Sequence, residues 1–303
     1  MKPKPTPFAR SFDMNQLRRQ HVADQCVCCG SLNLTSTPAI LMPFVAHRTF
    51  GWAPVMIDES WGLKTVQKGM AYTVCRSLMC SDCGLLFSDI RFSDDELTRL
   101  YQDYRGLAYT DLREHYEPSY TLRNNALMQQ LNYDGMVERF LKPLLHMPPK
   151  ILDWGGDTGK NTPFRDQCKK LDIYDISKAP VIDGANAVSR EQAKGNQYDL
   201  FVCSNVLEHV PYPSDTLLDI TQIMQKESII YVEVPLEDII IEHGSNALQY
   251  KKHWHEHVNF FNPIALQSLL KNCGLITIAQ NNYTQITAGL KTSYLMQVAC
   301  RLT

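Results

Sequence analysis

The sequence predicts an α/β fold built on a doubly wound parallel sheet, and three observations carry that expectation. Short apolar strands alternate with helix-forming stretches, a glycine-rich turn follows the first strand, and an acid ends the second. The first strand, Ile151-Leu152-Asp153-Trp154, runs into Gly155-Gly156-Asp157-Thr158-Gly159. Residues 160–169 are expected to form a helix behind it. A strand, a glycine turn and a helix N-terminus together make a pocket for a nucleotide-like ligand. Glycine lets the backbone approach closely, and the free amides of the helix start face the ligand. The second strand, 171–176, carries Asp175, 20 residues after Gly155, where a carboxylate would hold a ribose diol. A third strand begins at Tyr198 and passes into Asn205-Val206-Leu207-Glu208-His209-Val210, and a fourth covers 228–235.

Composition sets the outer limits. The chain has 303 residues, 44% hydrophobic and 20% charged, with a formal net charge of -2. That length suits two domains or one domain with an appendage. The charge gives no electrostatic reason to expect nucleic acid, since Lys and Arg are scattered apart from Lys2, Lys4, Arg10, Arg18 and Arg19. Those five are read as a solvated, frayed start. No apolar run approaches the roughly 20 residues of a membrane helix. The opening Met1-Lys2-Pro3-Lys4-Pro5-Thr6-Pro7 lacks the apolar core of a signal peptide, so a cytoplasmic protein is expected.

Ten cysteines in a reducing compartment are read as metal ligands or buried residues before disulfides. Cys26-Val27-Cys28-Cys29-Gly30 and Cys80-Ser81-Asp82-Cys83-Gly84 are two Cys-x-x-Cys knuckles, each with a glycine that permits the tight turn. Four thiolates from Cys26, Cys29, Cys80 and Cys83 suit a closed, structural Zn2+ site. Cys28 is a spare that could displace Cys26 or Cys29, although a gap of one residue makes pairing through it awkward, and Cys75, Cys168, Cys203, Cys273 and Cys300 read as buried free thiols. The stretch 41–72, with Trp52 and Trp61, should be folded.

Ser93-Asp94-Asp95-Glu96 opens a helix through a Ser N-cap and a capping-box Glu. Leu97, Leu100, Tyr101 and Tyr104 repeat at helical spacing, and Arg105-Gly106 ends the helix. A long helical stretch then runs to about Leu145, and Met147-Pro148-Pro149 links into the first sheet strand. Leu97, Leu100 and Tyr101 read as a face packed on the sheet. Tyr104, Arg105, Tyr109 and Arg123 are polar-tipped and lie in or beside loops, where they can line the pocket mouth and contact an anionic substrate.

Lys251-Lys252-His253-Trp254-His255-Glu256-His257-Val258-Asn259-Phe260-Phe261 lies before a helix at about 263–272. Three readings are open for it. In an extended segment, His253, His255 and His257 would share one face and could hold a metal. They could instead be structural histidines. The third reading makes Glu256-His257 an acid/base pair, with the glutamate orienting the histidine.

At the glycine turn, Asp175 and the Val-Leu-Glu-His-Val element, the chain resembles class I S-adenosylmethionine-dependent methyltransferases. Their first motif is an acid followed by Gly-x-Gly-x-Gly, and Asp157 stands here in the place of the middle glycine. A dinucleotide cofactor is disfavoured, because the Gly-x-Gly-x-x-Gly spacing is absent. The resemblance implies a seven-stranded Rossmann-like methyltransferase sheet. It also implies S-adenosyl-L-methionine held by Asp153, Gly155, Gly156, Asp157, Gly159, Asp175, Asn205 and His209. The four-cysteine module together with Glu256-His257 and Phe261 resembles nucleotide-sugar C-methyltransferases, in which the Glu-His pair serves catalysis and the His is the base. Trp254 takes the place of that family's assisting tyrosine, and its further C-terminal domain is expected to be lacking.

The expected organisation is a zinc-binding module at 1–92, a helical connector and substrate-side cap at 93–148, and a class I core at 149–303. The expected reaction is methyl transfer to carbon or oxygen of a small hydroxylated acceptor, a sugar or nucleotide-sugar. His257 and Glu256 are catalytic in this reading. Tyr104, Arg105, Tyr109, Arg123, His255 and Asn259 are its substrate contacts. Neither a membrane nor nucleic acid is an expected partner. The alternatives are an RNA methyltransferase with a zinc module and a non-catalytic cofactor-binding protein.

Overall fold

The computed structural model describes residues 12–62, 64–130, 134–288 and 291–303. Lys2, Lys4, Arg10 and the opening peptide lie outside the described residues. Arg18 and Arg19 are ion-paired, to Asp24 at 2.9 Å and to Asp215 at 2.5 Å.

The chain first lays down strand β1 (Leu34–Leu41), helix α1 (Pro43–Phe50), a small hairpin β2 (Val55–Ile57) and β3 (Gly69–Ala71), then β4 (Val74–Cys80) and β5 (Leu86–Ser88). The stretch 41–72 is therefore folded, as expected. Helix α2 (Asp94–Tyr101) starts at the foreseen capping box, with Ser93 and Glu96 bonded reciprocally. It is followed by α3 (Leu107–Tyr116), α4 (Tyr120–Gln130) and α5 (Asp134–Leu141). Of the expected helical stretch to about Leu145, α4 and α5 are described, and residues 131–133 between them lie outside the described residues.

The α/β region comprises β6 (Lys150–Trp154), β7 (Lys170–Tyr174), β8 (Asn186–Ala187), α6 (Arg190–Lys194), β9 (Leu200–Ser204), α7 (Pro213–Thr221) and β10 (Ile229–Leu236). It continues through α8 (Asp238–His243), α9 (Ala247–Tyr250), β11 (His253–Trp254), β12 (Asn259–Phe260) and α10 (Pro263–Asn272), ending in the hairpin β13 (Leu275–Ala288) and β14 (Lys291–Leu302). Seven strands form a mixed sheet in the order β8-β7-β6-β9-β10-β14-β13, parallel from β8 to β10 and antiparallel beyond. Order reverses beside β6, between β7 and β9, and such a reversal opens a crevice at the strands' carboxyl ends.

One expectation fails here. Residues 160–169 form no α-helix, only a 3-10 turn at Arg165–Gln167. Pro163 and Phe164 interrupt the stretch, and Phe164 has a left-handed φ of 59°. The Thr162 hydroxyl donates to Asp153 Oδ2 at 2.5 Å, which ties the loop back to β6. No helix N-terminus therefore stands behind the glycine turn.

The N-terminal sheet has the order β11-β1-β4-β5-β12. Its two outer strands come from the histidine segment, so the sheet begun by residues 1–92 takes strands from 149–303. Side chains tie the two parts further. Trp254 is fully buried and its Nε1 donates to Ser77 Oγ at 2.9 Å. Arg91, also buried, donates to Asn259 Oδ1 at 2.8 Å and to the Val258 carbonyl at 3.1 Å. One apolar core runs from Leu41, Phe44 and Leu86 through Trp254 and Phe261 to Leu217 and Leu269 of α7 and α10. A second cluster, with Val137 and Leu141 of α5, covers the opposite sheet face. Among the described residues no helix is long and apolar enough to cross a membrane.

Candidate active site

A cavity of about 1150 Å³ opens at the carboxyl ends of β6, β7, β9 and β10. The turn after β6 forms its floor. Gly155 has φ 85°, and a Cβ there would meet Val206 Cγ2 at 2.4 Å. A Cβ on Gly156 would strike the Asp153 carboxyl at 2.5 Å. Only glycine allows the turn to lie this flat against its neighbours. Asp153 is buried, and burial lifts its pKa to about 7 despite the Thr162 hydrogen bond. It holds the turn from behind. Asp157 sits at φ 53° and donates its amide to Asp175 Oδ2 at 2.8 Å. The other Asp175 oxygen accepts from Ser177 N at 2.8 Å. A smaller recess of about 510 Å³ shares Asp157, Tyr174, Asp175 and Arg190 with the main cavity, so Asp175 stands at the junction of two hollows. Asn205, with φ 54°, donates to Glu233 Oε1 at 3.1 Å on the next rim.

The opposite wall carries histidines and acids. His257 Nδ1 lies 2.7 Å from Glu237 Oε1, at the end of β10. Burial opposes a charged imidazole, but the hydrogen bond and negative field of Glu237 outweigh it and raise the His257 pKa. Glu237 is correspondingly held down to about 2, against the effect of its own burial. An ionised carboxylate only accepts, so in the neutral His257 ring Nδ1 carries the hydrogen and Nε2 the lone pair. His209 packs edge-on to His257 with centroids 4.5 Å apart. Burial drives the His209 pKa down to about 3. Its Nδ1 lies 2.8 Å from the Tyr101 hydroxyl and 3.2 Å from the Glu256 carbonyl. Glu208 is buried among them, and burial lifts its pKa to about 8.

The four cysteines meet away from the cavity. All are buried, and their Sγ atoms lie within 4.8 Å of one another, with Cys26–Cys83 at 3.5 Å and Cys29–Cys80 at 3.6 Å. Tetrahedral Zn–S bonds of about 2.3 Å require S···S edges of about 3.8 Å, so the set fits zinc. The knuckles match in detail. Gly30 N donates to the Cys26 carbonyl and Gly84 N to the Cys80 carbonyl, each at 2.9 Å. Both glycines have positive φ, 71° and 76°.

The model of a methyltransferase domain family matches residues 127–280. The chain belongs to this family. It is a class I S-adenosylmethionine-dependent methyltransferase, and the seven-stranded mixed sheet is the α/β fold of that class. No curated protein matches the chain. Among solved structures, the 1,6-didemethyltoxoflavin-N1-methyltransferase of Burkholderia thailandensis is similar at 14% identity and TM-score 0.44, over 65% of this chain and 89% of that one. The glycopeptide N-methyltransferase MtfA is similar at 11% identity and TM-score 0.42, over 59% and 97%. An S-adenosylmethionine-dependent methyltransferase of Anabaena variabilis also gives 11% and 0.42, over 59% and 91%. Likeness at this level leaves the acceptor open.

Several residues expected at the methyltransferase's site lie elsewhere. Gly159 packs on Ile173, 3.0 Å from where its Cβ would be, and is not part of the cavity wall. Tyr109 is fully buried against Phe44 and accepts from Arg113 Nη1 at 2.9 Å, so it belongs to the core. Arg123 is exposed and donates to the Pro118 carbonyl at 3.2 Å. Asn259 is buried and spends its amide on the Leu207 and Val210 carbonyls. His255 stands behind His257 and accepts from its backbone N at 3.1 Å. Tyr104 and Arg105 do line the cavity, and Arg105 reaches Asp157 at 3.9 Å.

Glu256 also lines the cavity but does not orient His257. Its carboxylate takes both terminal nitrogens of Arg113, at 2.5 and 3.1 Å, and that pair holds it down to about 2 although burial raises it. The orienting acid is Glu237, which the sequence reading missed. Its one sequence signal is an acid at the carboxyl end of a parallel strand, where ligand groups converge. His253 joins neither metal-capable group among the described residues.

Proposed function

We propose that this methyltransferase methylates carbon or oxygen of a small hydroxylated acceptor, a sugar or nucleotide-sugar, with His257 taking the acceptor's proton. The observation that carries the role of His257 is its 2.7 Å bond to Glu237 on the cavity wall, which leaves Nε2 as the basic nitrogen, while the sugar acceptor rests on the resemblance to nucleotide-sugar C-methyltransferases. When bound, S-adenosylmethionine supplies an electrophilic methyl carbon. Asp175 would accept from the ribose hydroxyls between the two hollows. Gly155, Gly156, Asp157 and Asn205 would line the rest of the cofactor's seat, and Asp153 would brace the turn. His209 closes the wall on the acceptor side, with Tyr104 and Arg105 at the mouth. Arg113 holds Glu256 in place as a positioning residue.

Cys26, Cys29, Cys80 and Cys83 would hold a structural zinc that fixes the N-terminal sheet, and through β11 and β12 the histidine segment. The division into a zinc module, a helical cap and a class I core stands as part of this proposal, with the two shared strands as the seam. Ten free cysteines fit a reducing, cytoplasmic compartment. A cavity lined by Asp157, Asp175, Glu208 and Glu256 suits a small acceptor better than a polyanion such as RNA.

The test is S-adenosylhomocysteine release from S-adenosylmethionine over a panel of nucleoside-diphosphate sugars and free sugars. General base catalysis is typically worth about 100- to 10,000-fold, so His257→Ala should lower turnover by that order and keep S-adenosylhomocysteine affinity. Full turnover in His257→Ala would place the base elsewhere.

A further inference from the structure

Glu208 has no task in that reaction, and its surroundings are unusual. Its side chain is 1% exposed, it lines the cavity, and neither carboxyl oxygen has a hydrogen-bond partner among the described residues. Its carbonyl accepts from Val258 N at 2.7 Å and Asn259 N at 3.1 Å, which pins the backbone at that position. A buried polar group left unpaired is costly, and a bound ion is one of the few arrangements that explains it.

Two imidazoles flank that carboxyl. Ligating atoms of Glu208, His209 and His257 lie within 4.8 Å of one another, and His209 Nε2 is 3.8 Å from Glu208 Oε1. Both rings have their other nitrogen committed. His257 Nδ1 faces the Glu237 carboxylate, and His209 Nδ1 faces the Glu256 carbonyl and the Tyr101 hydroxyl. A carbonyl and an ionised carboxylate accept only, so in the neutral rings each Nδ1 carries the hydrogen and each Nε2 presents a lone pair. Metal-ligating histidines are held in this way, by a second acceptor on the far nitrogen.

We propose that Glu208, His209 and His257 form a divalent-metal site on the histidine wall of the cavity, separate from the cysteine cluster. Two imidazoles and one carboxylate suit Zn2+ and its borderline neighbours, with a position left open toward the cavity. A metal on His257 Nε2 occupies the lone pair that proton transfer uses. Occupancy therefore blocks turnover. That consequence rests on His257 being the base; the binding itself does not.

The full chain, its Glu208→Gln variant and its His209→Gln variant are dialysed against Zn2+ alone, and bound zinc is measured per chain. Wild type should hold about one equivalent more than either variant, whatever the cysteines retain. Equal zinc in all three would overturn the site. Should either variant fail to fold, His257→Ala replaces it in the same measurement. Added Zn2+ should inhibit wild type and leave residual Glu208→Gln turnover unaffected. Zinc that stimulates wild type would overturn the proton-taking role of His257 and leave the metal site standing.

Discussion

The cysteine cluster and the histidine wall are both built from ligating side chains, yet they face opposite ways. In the N-terminal sheet the four sulfurs point at one another, and the last amide of each knuckle is bonded back to its first cysteine. Nothing is left to meet a substrate. At the carboxyl ends of the central strands of the seven-stranded sheet, two imidazoles and a carboxyl unpaired among the described residues line a cavity. Saturation marks the first as a structural device, and incompleteness marks the second as a place of chemistry. The two are also joined. Asn262 donates to the Cys83 and Gly84 carbonyls at 3.2 and 2.8 Å, and Asn272 donates to the Cys28 carbonyl at 3.1 Å.

The harshest way to break the comparison is Cys80→Ser/Cys83→Ser. Binding of structural zinc is worth on the order of 10–16 kcal/mol in small domains, so this variant should lose the zinc equivalent held by the cysteines and most of its soluble yield. Metal analysis checks it, and unchanged zinc would contradict the ligand set.

Next in size is the contrast between the two acids of the histidine wall. Glu237→Gln replaces an acceptor-only carboxylate with a neutral amide that can also donate, so the His257 tautomer is no longer fixed, and should cost roughly 100- to 10,000-fold in turnover with little change in folding. Glu256→Gln instead leaves Arg113 with Glu117, at 3.3 Å, as its carboxylate partner. Loss of the charge-assisted bond should destabilise the fold by about 1.5–3 kcal/mol and reduce turnover far less. Thermal denaturation alongside turnover separates the two, and the reverse pattern would return the orienting role to Glu256.

That contrast also shows where sequence reading works. Strands at β6, β7, β9 and β10, the capping box at Ser93 and Glu96, helix α10 and both knuckles are local patterns, and all are found where expected. The acid after β7 is local too. Glu237 and His257 are 20 residues apart, on different elements, and meet only because β11 and β12 draw the histidine segment across to the N-terminal sheet. Adjacency made Glu256 look like the partner, whereas neighbouring side chains in an extended segment point apart. Tyr109 and Asn259 misled for a related reason. A polar tip suggests a pocket, but Arg113 and the Leu207 and Val210 carbonyls satisfy those tips inside the core. The missing helix after β6 was hidden by composition, since Asp153 and Thr162 bond only once the loop has closed.

A smaller effect concerns pH. Asp153 titrates at about 7 in the fold against about 3.9 in an unfolded chain, so the folded state binds the extra proton between those values. Stability from this group is full below about pH 4 and lost as pH rises to about 7, by up to a few kcal/mol. Asp153→Asn should remove that part of the slope. Calorimetric melting of wild type and variant from pH 4 to 7 checks it, and parallel curves would contradict the burial argument.

The most direct test of the open cavity as the cofactor's seat is calorimetric titration with S-adenosylhomocysteine. Asp175 stands between the two hollows with both oxygens directed by backbone amides. Asp175→Ala should weaken binding by about 1.5–3 kcal/mol, a charge-assisted hydrogen bond's worth. Equal affinity in wild type and variant would contradict the assignment.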